Sequence, residues 1–265
     1  MEERAPLYSF SRVSTFEQCA RKFRYRYLDQ VKEAFDSIEA FMGRQVHETI
    51  EWLFGAREQS SPPTAAQAVS RYCERFDADI AGAPRAVRVI KRDETVEAYR
   101  RTGAEIVARF HRERFLNDDL QTIANEKHFE LDIGGRFRFQ GYIDRLARDA
   151  EGRLHVIDYK TGRRAPERFE GKEAEQLEAY AVAVFAESEV AELDLVLEFL
   201  RPGRTLRCRV ERSRAGELER RLVERIAMAE DATVFPPSPG TLCDWCGYND
   251  ICEAYPVRSR MRMSA

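Results

Sequence analysis

Apolar positions recur at two different periods along this chain, and the change from one to the other divides it. Near the N-terminus the period is helical. Ser14-Thr15-Phe16-Glu17 has the form of a capping box, with Ser14 as N-cap and Glu17 three residues on, and Phe16, Cys19, Phe23 and Tyr27 form one stripe of a helix ending near Leu28. A second helix is predicted over 41–54, where Val46, Ile50 and Phe54 share a face. Ser60-Ser61-Pro62-Pro63-Thr64 breaks the pattern as a loop. Two further helices are predicted near 65–81 and 92–116 from their helix-forming residues and scarcity of Gly and Pro.

The period then drops to two. Strands are predicted over 122–132 (Ile123, Phe129, Leu131) and 136–146 (Phe137, Phe139). Asp149-Ala150-Glu151-Gly152 turns the chain into a partner strand over 153–160. A helix over 172–187, strands near 194–200 and 205–211, and a helix over 214–230 follow, and beyond Val234 the chain is irregular and rich in Pro and Cys. Helices, then a hairpin, then a helix between strands, describe an α/β fold with a central mixed sheet. We expect a single domain over 1–265: a helical insertion at 60–120, a core at 122–230 and a cysteine segment at 234–256 closing onto Cys19.

The chemistry concentrates in that hairpin. In Ile157-Asp158-Tyr159-Lys160-Thr161-Gly162, Asp158 and Lys160 are two apart and face the same side of a strand. Asp144, on the preceding strand, can approach Asp158 across the pair. Two carboxylates and an ammonium at one sheet edge suit phosphodiester hydrolysis. The carboxylates hold Mg²⁺ or Mn²⁺, the metal lowers the pKa of a bound water, and Lys160 orients the water or stabilises developing charge. Bland alternatives exist for each residue: Asp144 as an ion-pair partner of Arg145 or Arg153, Gln176 and Tyr180 as packing residues, His47 as a structural histidine.

Gly141-Tyr142-Ile143-Asp144 followed by Asp158-Tyr159-Lys160-Thr161-Gly162 resembles the PD-(D/E)xK nuclease superfamily, RecB-like branch. Gln176-Leu177-Glu178-Ala179-Tyr180 matches that branch's Gln-x-x-x-Tyr motif, and Gly43-Arg44-Gln45-Val46-His47 its early Gly and His; Glu126 loosely matches an acid one strand upstream. The resemblance implies a restriction-endonuclease-like core. It implies Asp144, Asp158, Lys160, Gln176 and Tyr180 as catalytic residues, with His47, Asp144 and Asp158 as Mg²⁺ or Mn²⁺ ligands. The implied activity is a metal-dependent deoxyribonuclease, an exonuclease acting on single strands or DNA ends in repair, recombination or CRISPR adaptation. The alternative is a catalytically silent DNA-binding subunit of a larger repair complex.

Six cysteines occur, at 19, 73, 208, 243, 246 and 252. Cys243-x-x-Cys246 with Cys252 after it has the spacing of a ligand cluster, and the fourth ligand must come from elsewhere. Cys19 is the candidate, unless it is an ordinary member of the apolar stripe. Some members of the same branch carry one cysteine before the core and three after it around a [4Fe–4S] cluster, and Cys19, Cys243, Cys246 and Cys252 match that layout, with Ala20 where the family often has Pro. Zn²⁺ on the same four thiolates is the alternative. Cys73 and Cys208 lack partner spacing.

Bulk composition adds less. Net charge is −3, from 43 basic and 46 acidic residues, so any DNA contact depends on local clusters. Arg21 and Arg24 lie in Arg21-Lys22-Phe23-Arg24-Tyr25-Arg26-Tyr27, either a phosphate- and base-binding segment or a core stripe with a basic face, and Arg163 and Arg164 follow the catalytic strand. The Arg258, Arg260 and Arg262 tail reads as a solubilising end. No apolar run approaches the roughly 20 residues of a membrane helix, and Met1-Glu2-Glu3-Arg4 does not open a secretory signal. A cytoplasmic, non-membrane protein is expected, with DNA as partner. No Gly-x-x-x-x-Gly-Lys-Ser/Thr motif occurs, so a helicase would be a separate partner.

Overall fold

The computed structural model describes residues 5–57 and 62–255; Ser60, Ser61, the first four residues and the 258–262 arginines lie outside that range. A six-stranded mixed sheet forms the centre. Its long hairpin comprises β4 (Gln121–Ile133) and β5 (Phe137–Arg148), antiparallel along nearly their whole length. The other edge of β5 is shared. β1 (Leu7–Ser9) pairs with it in parallel at Arg138–Gln140, and β6 (Leu154–Lys160) pairs antiparallel at Arg145–Arg148. β7 (Glu192–Phe199) continues parallel to β6, and β8 (Arg204–Glu211) closes the sheet antiparallel to β7.

Helices cover both faces. α1 (Phe10–Gln18), α6 (Lys172–Glu187) and α7 (Ala215–Glu230) pack on one, against Phe137, Phe139, Val156, Leu195 and Leu197. α3 (Ile38–Ala56), α4 (Ala65–Ala81) and α5 (Val96–Glu113) pack on the other, against Ala147, Ile157, Tyr159 and Val196. Residues 62–120 therefore supply much of one helical layer and also β3 (Ala86–Arg88), which pairs in parallel with β2 (Phe35–Ser37), a small sheet that the sequence pattern did not signal. Each core side chain such as Tyr72, Phe76 or Phe110 contributes about 1.5–3 kcal/mol by leaving water. The alternation of β6 follows from these layers: Leu154, Val156, Asp158 and Lys160 face α6, while Ile157 and Tyr159 face α3 and α5.

The first helix departs from expectation. Its N-cap is Ser9, whose hydroxyl accepts the Arg12 N–H at 3.2 Å, because Phe10 and Val13 are already buried and the helix must begin before them. Ser14 lies inside the helix and donates to the Ser11 carbonyl, and Glu17 instead pairs with Arg225 through two 2.7 Å hydrogen bonds. Nor does the helix run unbroken to Leu28. It stops at Cys19, whose backbone is extended, restarts as α2 (Ala20–Phe23) and ends in a wider π turn over Arg24–Leu28. The predicted 92–116 helix is also shorter: Thr95 caps it, and a separate 3-10 turn covers Phe115–Asn117.

Candidate nuclease active site

β5 and β6 are hydrogen-bonded only as far as Arg145↔Ile157. Beyond that point the strands part, and the next residues on each side are Asp144 and Asp158. Asp144 covers the gap itself: its Oδ2 accepts the backbone N–H of Tyr159 at 2.7 Å, a donor that has lost its partner strand. On the other edge of β5 the register runs from Asn125↔Arg145 to Lys127↔Ile143, which leaves Glu126 opposite Asp144. Glu126 holds φ at +46°, a left-handed conformation costly for a side chain and frequent at functional sites. Three carboxylates thus lie abreast on three adjacent strands.

α3 supplies the imidazole. His47 Nδ1 is 3.4 Å from Asp144 Oδ2, and the ring lies edge-on to Tyr159. Gly43, one turn earlier, lets the helix approach: a Cβ there would lie 3.0 Å from Thr161 Oγ1. His47, Glu126 and Asp144 each offer a ligand atom within 4.8 Å of the others. Burial, then Asp158's charge, holds the Asp144 carboxyl well above the usual carboxylate range. Burial, then Asp144's charge, pushes Glu126 up to about 7. Burial holds His47 below its usual value, which favours the neutral imidazole a metal requires. A divalent cation bound there would offset both the burial and the mutual repulsion that raise these carboxylates.

Lys160 and α6 complete the constellation. Asp158 is 3% exposed, and its Oδ2 lacks an aligned hydrogen bond although Lys160 Nζ lies 2.7 Å away. Lys160 Nζ donates to Gln176 Oε1 at 2.9 Å, and Gln176 Nε2 donates to the Tyr180 hydroxyl at 2.8 Å. Gly141 makes room for this relay: a Cβ there would sit 2.6 Å from the Phe129 ring and 2.9 Å from Tyr180. The bland alternatives for Asp144 do not hold. Arg145 is turned to the opposite face, forked onto Asp118 at 2.6 and 2.9 Å, and Arg153 pairs with Asp149 and Glu192.

The structure therefore brings His47, Asp144, Asp158, Lys160, Gln176 and Tyr180 together, and with them Glu126, the loosely matching acid of the upstream strand. A lone acid in a charged strand has no spacing signature, so only the strand register marks Glu126 as part of the site.

A profile of the PD-(D/E)XK nuclease superfamily matches residues 8–253. The chain belongs to that superfamily. Similar proteins include one of the subunits of the ATP-dependent helicase/deoxyribonuclease of Streptococcus pyogenes, 41% identical over 46 residues in strain NZ131 (serotype M49) and 39% over 46 in strain MGAS2096 (serotype M12). Those segments span 17% of this chain and 4% of the streptococcal proteins. The crystal structure of SSO0001 aligns over 96% of this chain and 90% of its own length at 14% identity, with a TM-score of 0.38. The α/β architecture, with its mixed sheet between helical layers, is that of a restriction-endonuclease-like superfamily member.

Cys19, Cys243, Cys246 and Cys252 line one cavity between α2 and the C-terminal segment. The extended backbone that ends α1 belongs to Cys19. Ser238 N–H points at Cys19 Sγ (3.5 Å) and Gly240 N–H at Cys243 Sγ (3.3 Å). Burial raises the pKa of the Cys246 thiol, with Cys19 and Cys252 adding to it. Four half-buried thiols lining one cavity, two of them facing backbone N–H donors, are residues that could hold a thiolate-bound centre. Cys73 sits on α4 and Cys208 on β8, apart from this group.

The arginines expected at DNA divide. Arg21 is committed to the C-terminal segment, donating to the Phe235 carbonyl at 2.9 Å and pairing with Glu253. Arg24 pairs with Asp29, and Arg163 with Glu94. Arg164 is exposed and makes no ion pair among the described residues. No described helix is long and apolar enough to cross a membrane.

Proposed function

We propose that this chain is a metal-dependent deoxyribonuclease of the RecB-like branch, acting on single strands or DNA ends. The observation that carries the reading is the convergence of His47, Glu126 and Asp144 within 4.8 Å, beside the Lys160–Gln176–Tyr180 relay. His47, Asp144, Glu126 and the neighbouring Asp158 would hold Mn²⁺ or Mg²⁺, with the imidazole favouring Mn²⁺. Bound there, the ion supplies an activated water and offsets charge on the phosphate. The chain's own residues do the rest. Lys160 presents its ammonium beside Asp158, where it can bind a phosphate oxygen; Gln176 fixes the direction of that ammonium; Tyr180 fixes Gln176; Tyr159's backbone fixes Asp144.

Cys19, Cys243, Cys246 and Cys252 would hold a [4Fe–4S] cluster, with Zn²⁺ as the alternative, and so tie α2 to the C-terminal segment. Arg164 is the predicted arginine best placed for phosphate; Arg21, Arg24 and Arg163 would act mainly through their carboxylate partners. The streptococcal relatives' name, a subunit of a helicase/deoxyribonuclease, supports a separate helicase as partner; a role in DNA repair or recombination, in the cytoplasm, belongs to the same proposal.

The test is cleavage of labelled single- and double-stranded DNA by anaerobically purified protein with Mn²⁺, Mg²⁺ or EDTA, for wild type and Asp158→Ala. Metal-dependent cleavage lost in a folded variant supports the reading. Cleavage unchanged by Asp158→Ala, or none with any metal, refutes it. A broad absorbance near 400 nm distinguishes iron–sulfur from zinc.

A further inference from the structure

The cleft holding His47, Glu126 and Asp144 is walled by acids, including Glu39, Glu48 and Glu51. A polyanion entering it needs cations alongside. They are supplied next door, in a groove that shares Glu39 and Thr161 with the cleft and is lined by Lys91, Arg163, Arg164, Arg201 and Trp245. Arg164 and Arg201 make no ion pair among the described residues, and Arg163 lies close enough to Arg201 to lower its pKa after burial does. Lys91 pairs with Glu39 and Glu94, and Arg163 with Glu94, which leaves Arg164 and Arg201 as the groove's cations without an ion pair among the described residues, a pair suited to phosphate. Trp245, one of only two tryptophans in the chain, is half-buried at the same groove. It stands on the short 3-10 turn Thr241–Trp245, between Cys243 and Cys246.

We infer that this groove seats a single DNA strand on its way to the metal cleft, with Arg164 and Arg201 on the phosphates and the Trp245 indole stacked on a base. The inference rests on the nuclease reading and names the form of its substrate. A lone aromatic platform beside unpaired arginines suits a splayed strand, whose bases present their faces; a duplex keeps those faces stacked. The placement also gives the cysteine segment a second consequence: whatever holds Cys243 and Cys246 holds Trp245.

The test uses the full chain in EDTA, with labelled dT20 and a 20-base-pair duplex. Trp245→Ala is expected to weaken dT20 binding about tenfold and duplex binding little, with Trp245→Phe restoring most of it. Arg164→Ala/Arg201→Ala is expected to lower the slope of log K against log salt by about 1.4, two single-strand phosphates' worth. Because Trp245→Ala could disturb the cysteine segment, Trp52→Phe provides a second readout, leaving Trp245 as the sole tryptophan. Its fluorescence should be quenched as dT20 binds. Unquenched fluorescence at saturating dT20, or equal losses for strand and duplex in folded Trp245→Ala, overturns the proposal. Cleavage by wild type with Mn²⁺ is measured alongside. Cleavage without quenching sinks the groove alone; quenching without cleavage sinks the nuclease reading and leaves the groove.

Discussion

Asp144 Oδ2 accepts the Tyr159 N–H at 2.7 Å across the point where β5 and β6 separate. One carboxylate thus closes a gap in the sheet and serves the candidate metal group. The two roles separate by substitution. Asp144→Asn keeps an acceptor and removes a charge that burial and Asp158 both disfavour. It should abolish cleavage yet melt at or above the wild-type temperature in EDTA. Asp144→Ala should also abolish cleavage and leave the Tyr159 N–H unpaired, a cost of about 1–3 kcal/mol. Equal melting temperatures for the two variants would remove the structural role.

The relay from α6 should affect turnover more than binding. Lys160→Gln removes an ammonium aimed at the phosphate and should lower kcat by about 10²–10³-fold. Gln176→Leu leaves the ammonium but not its direction, and a loss of about tenfold in kcat with KM nearly unchanged is expected. Steady-state cleavage of dT20 across a range of concentrations gives kcat and KM for both variants. A KM effect alone would place Gln176 in substrate binding instead.

Glu126 sets a pH dependence in metal-free protein. Its folded-state pKa is raised to about 7 from 4.5, so between those values the native state binds more protons than the unfolded state. Stability should therefore fall as pH rises from about 4.5 to 7. The carboxylate is half-exposed, so solvent screening reduces the effect to about 1 kcal/mol, or about 2–4 °C. Melting curves of wild type and Glu126→Gln in EDTA test it; the variant should be flatter over that range, and an equal slope would sink the assignment.

Gly141→Ala places a methyl against Phe129 and Tyr180, both in the packed interior. Overpacking there should cost about 1–3 kcal/mol. Displacing Tyr180 should also loosen Gln176 and reduce kcat. Thermal melts and single-turnover rates report the two separately, and a variant with native stability and rate would show that the rings yield freely.

Cys246→Ser should remove any absorbance near 400 nm, lower the melting temperature and expose residues 234–255 to limited proteolysis. The four thiols join segments more than 200 residues apart, and a clip of that span is most effective against the unfolded chain. Unchanged proteolysis would mean that Arg21, Glu253 and Phe235 hold the segment without a metal.

Much of this protein was legible without its structure. Period-two alternation over β4, β5 and β6 set which residues share a face, and so paired Asp158 with Lys160 before any fold was known. Four-residue spacing did the same for Gln176 and Tyr180, because local geometry alone fixes such relations. Local rules failed where long-range packing outweighed them. Burial of Phe10 and Val13 moved the first N-cap from Ser14 to Ser9, and the chain broke its helix at Cys19, where α2 meets a segment more than 200 residues away. Register between strands brought Glu126 opposite Asp144, α3's docking brought His47 to the same point, and the C-terminal segment carried Trp245 to the groove beside that cleft. Each depends on contacts between distant parts of the chain, which no periodicity encodes; side-chain spacing belonged to the sequence, and the meeting of elements to the tertiary fold.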